Sequence, residues 1–217
     1  MHIKPDVIVC QPSHVDYPLF RYNLTRFREY FNDVFIAFTQ NTLQPDLRDF
    51  FVQDFQDVKF VKPQADPDRP DWRDLAVRET LRFHSRSDWI LFLEQDFLIK
   101  DKQFFEKVLS QQNCDAILYF EDKRIHPAFA LVRREIVNKT SLDFAANPPA
   151  YDHFGKFFKE VGDTASWITL TDLGFEKGKD FYHMAGLTQN YYCFLNRQPL
   201  YKEKEFLTYN HHVLKLP

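Results

Sequence analysis

Residues 89–93, Trp-Ile-Leu-Phe-Leu, are apolar at every position and run straight into Glu94-Gln95-Asp96, after which Phe97-Leu98-Ile99 resume the apolar pattern. An apolar run without alternation reads as a strand covered on both faces, the kind found at the centre of a parallel sheet with helices on each side. Ligands of such sheets gather beyond the carboxyl ends of the strands. Side chains along a strand repeat with a period of two, so Glu94 and Asp96 are expected to point the same way. A hard divalent cation takes oxygen from one or both of such a pair.

The flanking segments fit an alternating α/β pattern. Val7 to Cys10 reads as a first strand, followed by the loop Gln11-Pro12-Ser13-His14 and a helix whose apolar stripe is Phe20, Leu24, Phe27 and Phe31. A strand from Asp33 to Thr39, a weaker helix around Asp46 to Phe55 and a short strand at Val58 to Val61 come next. Beyond three interrupting prolines, Pro63, Pro67 and Pro70, Asp71 and Asp74 mark a helix start near Trp72. Its inward stripe is expected at Trp72, Leu75, Ala76, Thr80 and Phe83. After the carboxylate pair come a helix from Lys102 to Leu109, strands from Ala116 to Phe120 and Pro127 to Val132, a helix from about Tyr151 to Val161, and a strand near Trp167 to Leu170.

At 217 residues, with no Gly/Ser-rich linker, the chain is expected to form a single domain, 1–217. Its 28 basic and 31 acidic residues leave a net charge of -3, and no dense Lys/Arg track calls for nucleic acid. Cys10, Cys114 and Cys193 are odd in number and widely spaced, which fits a reducing cytoplasm. Val7-Ile8-Val9-Cys10 is too short for a membrane span or a signal segment, so a soluble, unprocessed, cytoplasmic protein is expected. With 24 Phe against five Gly and no GxGxxG or GxxxxGK[ST] motif, Rossmann-type cofactor use and P-loop hydrolysis are disfavoured.

Leu75-Ala76-Val77-Arg78-Glu79, followed by the run from Ser87 to Asp96, resembles the nucleotide-sugar-dependent glycosyltransferases of the A-type fold. Those enzymes place an Ala-x-Arg helix before the strand that ends in their Asp-x-Asp motif. The resemblance covers residues 72–99 best and is compatible with the element order from 7 to 133. It implies an α/β/α sandwich with a mostly parallel central sheet, a donor half over about 1–100 and an acceptor half over about 101–217. It also implies a UDP- or GDP-sugar donor, and Mn²⁺ or Mg²⁺ joining the motif to the donor diphosphate. Glu94 and Asp96 fall on the motif's outer positions and Gln95 on the middle one, where it would face the donor. His183 matches a C-terminal histidine that completes the metal site in several such enzymes.

Further residues follow from position. Gln11, Ser13 and His14 lie just beyond the first strand, where the resemblance puts the nucleotide base and ribose. Arg73 and Arg78 are candidates for the donor phosphates or for pairing with Asp96, with solvated helix surface as the plain alternative. Gly186 could let backbone amides approach a phosphate, or form a turn. Asp152, at the expected start of a helix, is the candidate base that takes the proton from an acceptor hydroxyl, and reads also as an N-cap. Glu121, Asp122 and His126 are candidates to line the acceptor site. The aromatic tail, including Tyr191, Tyr192, Tyr201 and Tyr209, reads as a cover for the donor or as packing on the sheet.

The function expected from these residues is a metal-dependent, inverting transfer of a sugar from a nucleotide diphosphate to an acceptor hydroxyl on a glycan or other molecule. A sugar-phosphate nucleotidylyltransferase would carry a Gly-rich basic loop after the first strand, where this chain has Gln11-Pro12-Ser13-His14. A catalytically silent carbohydrate-binding or nucleotide-sugar-binding module is the alternative from another class.

Overall fold

The computed structural model describes residues 3–10, 17–37, 58–61, 72–94, 96–145, 154–183, 190, 193–200, 203–211 and 215. The first half holds β1 (Asp6–Cys10), α1 (Tyr17–Phe27), β2 (Val34–Ala37), β3 (Val58–Val61), α2 (Trp72–Glu79), β4 (Trp89–Glu94) and β5 (Phe97–Ile99). The second half holds α3 (Lys102–Leu109), β6 (Ala116–Glu121), β7 (Arg124–Arg133), α4 (Arg134–Val137), α5 (Gly155–Thr164), β8 (Trp167–Thr169), β9 (Phe181–His183) and α6 (Glu203–Tyr209). Seven strands form one sheet in the order β3-β2-β1-β4-β7-β6-β8. β7 runs antiparallel to both its neighbours, and the other pairings are parallel.

The uninterrupted apolar run of β4 is sorted by the strand period onto two cores. Trp89, Leu91 and Leu93 join Val7 and Val9 of β1 against Leu24 and Phe27 of α1 and Phe104, Phe105 and Val108 of α3. Ile90 and Phe92 join Ile8 against Ala76 and Val77 of α2 and Phe157, Phe158 and Val161 of α5. Helices therefore cover both faces, as expected for an α/β/α sandwich. The phenylalanines fill these layers as interlocked pairs, with Phe104 and Phe175 ring centres 4.5 Å apart on one side and Phe92 and Phe157 5.2 Å apart on the other.

Three local expectations are corrected. The buried face of α2 is Ala76, Val77, Thr80 and Leu81, whereas Phe83 is 65% exposed. The last turn, Thr80–His84, widens to a π-helix closed by Ser85 N–H donating to the Thr80 carbonyl at 2.8 Å, which rotates Phe83 away from the stripe that a 3.6-residue period predicts. α5 begins at Gly155, with Phe154 rather than Asp152 in the N-cap position. Phe154 adopts a left-handed conformation (φ 62°) that breaks the helical path, and its buried ring packs on Phe144. The apolar run after Asp96 is a separate strand, β5, which pairs with β9 in a second, two-stranded sheet that periodicity did not disclose.

Behind β5 lies a third cluster, in which Leu98, Phe206 and Tyr209 are buried together. The aromatic tail thus packs, at Phe206 and Tyr209, on the small sheet. The helix expected around 46–55, and tail residues Tyr191, Tyr192 and Tyr201, lie outside the described residues.

At the amino end of β1 the fully buried Asp6 ties three strands together. Its Oδ2 accepts from Ser85 Oγ (2.7 Å) and from Arg86 and Ser87 N–H (2.7 and 2.9 Å), just before β4. Its Oδ1 accepts from Asn32 Nδ2 (2.8 Å) and Asp33 N–H (3.2 Å), just before β2. Burial alone would raise the Asp6 pKa, but the hydrogen bonds from Ser87, Ser85, Asn32 and Arg86 outweigh it and hold the carboxyl below its ordinary value.

Asp6→Asn presents an amide to N–H donors and should lower the unfolding free energy at pH 7 by roughly 2–4 kcal/mol in urea titrations. Because the folded pKa is depressed, this contribution is present above the unfolded value of about 3.9 and is lost as pH falls through the folded one. The gap between wild type and variant should therefore narrow in acid; a constant gap from pH 7 to pH 3 would show that the carboxylate charge is not what stabilises this junction.

Candidate functional site

The strand order reverses between β1 and β4, so the carboxyl ends of these strands form the crevice where open α/β sheets take ligands. Glu94 closes β4 opposite Cys10 of β1, and Asp96 sits in the turn to β5. That turn is gripped from both sides. Asn23 of α1 donates from Nδ2 to the Phe97 carbonyl at 2.6 Å and accepts from Ile99 N–H at 3.3 Å, occupying the free edge of β5 as a further strand would. On the other edge, Phe97 pairs with His183, which brings the last residue of β9 beside the carboxylates.

The reversed strand delivers the rest of the site. Since β7 runs against β4, its first residues lie at the carboxyl edge of the sheet. It is joined to β6 by a two-residue turn, Asp122 and Lys123, both left-handed (φ 52° and 63°), the type I′ geometry of tight hairpins. Along this hairpin the register jumps from Leu118 opposite Ala130 to Tyr119 opposite His126. Pro127, which has no N–H to give to a ladder, falls in the irregularity. The jump sets His126 against Tyr119 and His183, its ring centre 5.5 Å from the first and 4.2 Å from the second.

Both nitrogens of the buried His183 face carboxylates. Its Nε2 lies 3.8 Å from Glu94 Oε2 and 3.9 Å from Asp96 Oδ1, and its Nδ1 lies 3.7 Å from Glu121 Oε2. All three gaps are too long for hydrogen bonds. Asp96 Oδ1 and His183 Nδ1 are buried without a hydrogen-bond partner among the described residues. Glu121 is held on its other side, where Lys177 Nζ donates to Oε1 at 2.6 Å and Tyr119 Oη donates to Oε2. The adjacent His183, opposed by burial and aided by Lys177 and Tyr119, holds the Glu121 carboxyl far below the usual range.

His126 behaves differently. Burial first, then the neighbouring His183 and Arg124, push its pKa down to about 3, so the ring is neutral at physiological pH. Its Nδ1 accepts from Ala128 N–H at 3.3 Å, which leaves the ring proton on Nε2.

This donor set fits a divalent cation. Glu94, His126 and His183 each offer a ligand atom, and these atoms lie within 4.8 Å of one another. Asp96 Oδ1 adds a buried, unpartnered carboxylate oxygen beside the same His183 nitrogen. An ion bound at about 2.1 Å from its ligands bridges gaps of this size, and mixed carboxylate and imidazole donors suit Mn²⁺ as well as other first-row ions. Ligation through His126 Nε2 would require that ring to give up its contact with Ala128, so Glu94, Asp96 and His183 are the more accessible set.

Of the residues singled out in the sequence, Glu94, Asp96, His183, Glu121 and His126 converge, with Asp122 exposed at the hairpin tip beside them. Glu94 and Asp96 meet at one imidazole through a turn rather than along a continuous strand. Arg78 points elsewhere: its Nε donates to the Leu142 carbonyl at 3.1 Å. Gln11, Ser13, His14, Gln95, Asp152 and Gly186, and the side chain of Arg73, lie outside the described residues. Sequence reading passed over Tyr119 and Lys177, the partners of Glu121. A Tyr inside the run Ile117-Leu118-Tyr119-Phe120 is a detectable polar handle in a buried strand, whereas nothing in the local pattern marks Lys177.

No protein family and no curated protein matches this sequence. Solved structures match in fold. The galactosyltransferase LgtC, in complex with donor and acceptor sugar analogs, gives a TM-score of 0.58 at 7% identity over 98% of this chain and 97% of its own. The mannosyltransferase PcManGT from Pyrobaculum calidifontis, in complex with GDP-Man and Mn²⁺, gives 0.54 at 16% identity over 80% of this chain, which spans 56% of that protein's length. Both are glycosyltransferase structures, and the chain has their A-type fold, with its mostly parallel seven-stranded sheet. Among the described residues no helix is long and apolar enough to cross a membrane.

Asp96 Oδ1 is buried without a hydrogen-bond partner among the described residues, and a buried unpartnered polar atom is costly. Asp96→Asn should leave the Tm of the metal-free protein unchanged or raise it. Mn²⁺ at about 100 times its Kd should raise the wild-type Tm by roughly 5–10 °C. That shift should vanish in Asp96→Asn and in His183→Ala when followed by scanning calorimetry, and a full shift in both variants would place the ion elsewhere.

Proposed function

We propose that this chain is a metal-dependent glycosyltransferase that moves a hexose-type sugar, with inversion, from a UDP- or GDP-sugar to an acceptor hydroxyl. The observation that carries the reading is the convergence of Glu94 and Asp96 on His183 Nε2 at the carboxyl edge of the central sheet. The A-type fold supports it, as does the Mn²⁺ and GDP-Man complex of one structural neighbour. In this reading Glu94, Asp96 and His183 hold Mn²⁺ or Mg²⁺. When bound, the ion neutralises the charge that develops on a diphosphate leaving group.

The protein's own groups supply binding, orientation and proton transfer. The donor half, about 1–100, receives the nucleotide through Gln11, Ser13 and His14 beyond β1, with Gln95, Arg73 and Gly186 as the further donor contacts. His126, with its proton on Nε2, presents a hydrogen-bond donor, and together with Asp122 it faces the acceptor in the half over about 101–217. Asp152, before α5, takes the proton of the attacking hydroxyl as that oxygen bonds to the sugar and the diphosphate departs. The acceptor is a glycan or another hydroxyl-bearing molecule, and we assign the protein to the cytoplasm.

Purified wild type with Mn²⁺ should release UDP or GDP from one member of a nucleotide-sugar panel, and a chelator should stop the release. Asp96→Asn should abolish turnover with folding retained; turnover at the wild-type rate would remove this residue from the site. Asp152→Asn should slow transfer by about 10²–10⁴-fold with donor affinity unchanged. Loss of donor affinity at an undiminished rate would reassign it to binding. A donor that binds without any release, under all metals tried, would instead identify a silent sugar-nucleotide-binding module.

A further inference from the structure

We propose that Glu121 is a positioning residue: from behind His183 it fixes the imidazole with its proton on Nδ1 and its Nε2 lone pair turned into the gap between Glu94 and Asp96. This deepens the metal-dependent reading and rests on it.

A neutral imidazole carries one N–H and one lone pair, and a buried ring must find the right partner for each. The surroundings of His183, 3% exposed, are asymmetric in this respect. On the Nδ1 side stands an acceptor whose charge is already balanced, since Glu121 Oε1 is ion-paired to Lys177 at 2.6 Å. Oε2 accepts from Tyr119 and, having a second lone pair, can accept again from Nδ1–H. Nδ1 and Oε2 are 3.7 Å apart, so a movement of under about 1 Å brings them to an ordinary hydrogen bond. On the Nε2 side stand two carboxylate oxygens, Glu94 Oε2 at 3.8 Å and Asp96 Oδ1 at 3.9 Å, the latter buried and without a hydrogen-bond partner among the described residues. With an ion between them and the ring, a proton on Nδ1 satisfies the first side and leaves the Nε2 lone pair for the ion on the second.

The ring is also held against flipping. His126 packs at 63° to it with centres 4.2 Å apart, and Tyr119 stands at 80° and 5.7 Å. Tyr119 therefore both walls the ring and orients the carboxylate that orients it. Lys177, whose backbone bridges to Phe181 at the start of β9, links Glu121 to the strand that carries His183. Hydrogen-bond partners of this kind behind a metal-binding histidine contribute about 10–100-fold to metal affinity.

The test uses the full chain with Mg²⁺ and then with Mn²⁺. Long-range proton–nitrogen correlation spectra of the Mg²⁺-bound wild type should show His183 protonated on Nδ1 alone; a proton on Nε2 in that state would overturn the proposal without any variant. Free Mn²⁺ measured by electron paramagnetic resonance should then give a Kd about 10–100-fold weaker in Glu121→Ala than in wild type. Glu121→Gln keeps the size and one acceptor oxygen, so it should fold if the alanine variant does not and should lose less affinity. A purely structural role would lower the metal-free Tm yet leave the Mn²⁺ Kd of the folded variants at the wild-type value, which would overturn the inference. A wild type that binds neither Mn²⁺ nor Mg²⁺ would sink the metal-dependent reading itself. A wild type that binds the ion, with both variants equal to it, would remove Glu121 alone.

Discussion

Two hydrogen bonds between the buried Asn23 side chain and the main chain, one donated to the Phe97 carbonyl and one accepted from Ile99 N–H, hold the acidic turn in place. Among the described residues β5 has one strand neighbour, β9, and a buried strand edge with unpaired amides and carbonyls is costly. An Asn has both a donor and an acceptor and can substitute for the missing strand, which lets α1 serve as the outer wall of the small sheet. With β5 fixed, the chain between Glu94 and Phe97 spans two anchored strands, and Asp96 cannot drift from the end of β4. The same anchoring sets the register that puts His183 opposite Phe97, so the geometry of the proposed metal site is inherited from backbone pairing.

The second constraint is the direction of β7. A parallel strand in its place would bring its carboxyl end to the site and would need a long crossover from β6. Reversal allows a two-residue turn, and it turns a hairpin into a device that projects Glu121 and His126 into the crevice from adjacent strands. The register jump at Leu118/Tyr119 then decides which side chains meet. Without it, the alternation of β7 would pair Tyr119 with a residue closer to Ala130, and His126 would sit farther along the edge. Irregular strands beside ligand sites re-aim side chains in this manner.

The central strand, its helix-covered faces and the acidic tip were legible because a one-dimensional signal fixed each of them. Trp89 to Leu93 could only be doubly buried, and Glu94 and Asp96 followed at the end where ligands gather. α2 was legible in existence but not in phase. Its Ala76 and Thr80 were placed correctly, whereas the π turn at Thr80–His84 moved Phe83 to solvent, since a local widening of the helix leaves no mark on a hydrophobic period. β9 was invisible because Phe181-Tyr182-His183 is short and pairs with a segment more than eighty positions away, so that His183 entered only through resemblance. The roles of Tyr119 and Lys177 depend on tertiary contact alone. The expected base and ribose contacts Gln11, Ser13 and His14, and the expected base Asp152, lie outside the described residues.

The charge at the site bears on how a donor would bind. Glu94, Asp96 and Glu121 surround one imidazole, and among these carboxylates Glu121 is ion-paired to Lys177. A diphosphate carries negative charge of its own, and at short range in a partly buried crevice like charges repel by several kcal/mol. On the proposed reading, a cation held by Glu94 and Asp96 would offset that repulsion as a nucleotide sugar arrives. The neutral His126 does not relieve that repulsion, because its depressed pKa keeps it uncharged at physiological pH. On the proposed reading, then, metal serves donor binding as well as bond cleavage, because the ion would offset the repulsion between the carboxylates at the end of β4 and the donor diphosphate.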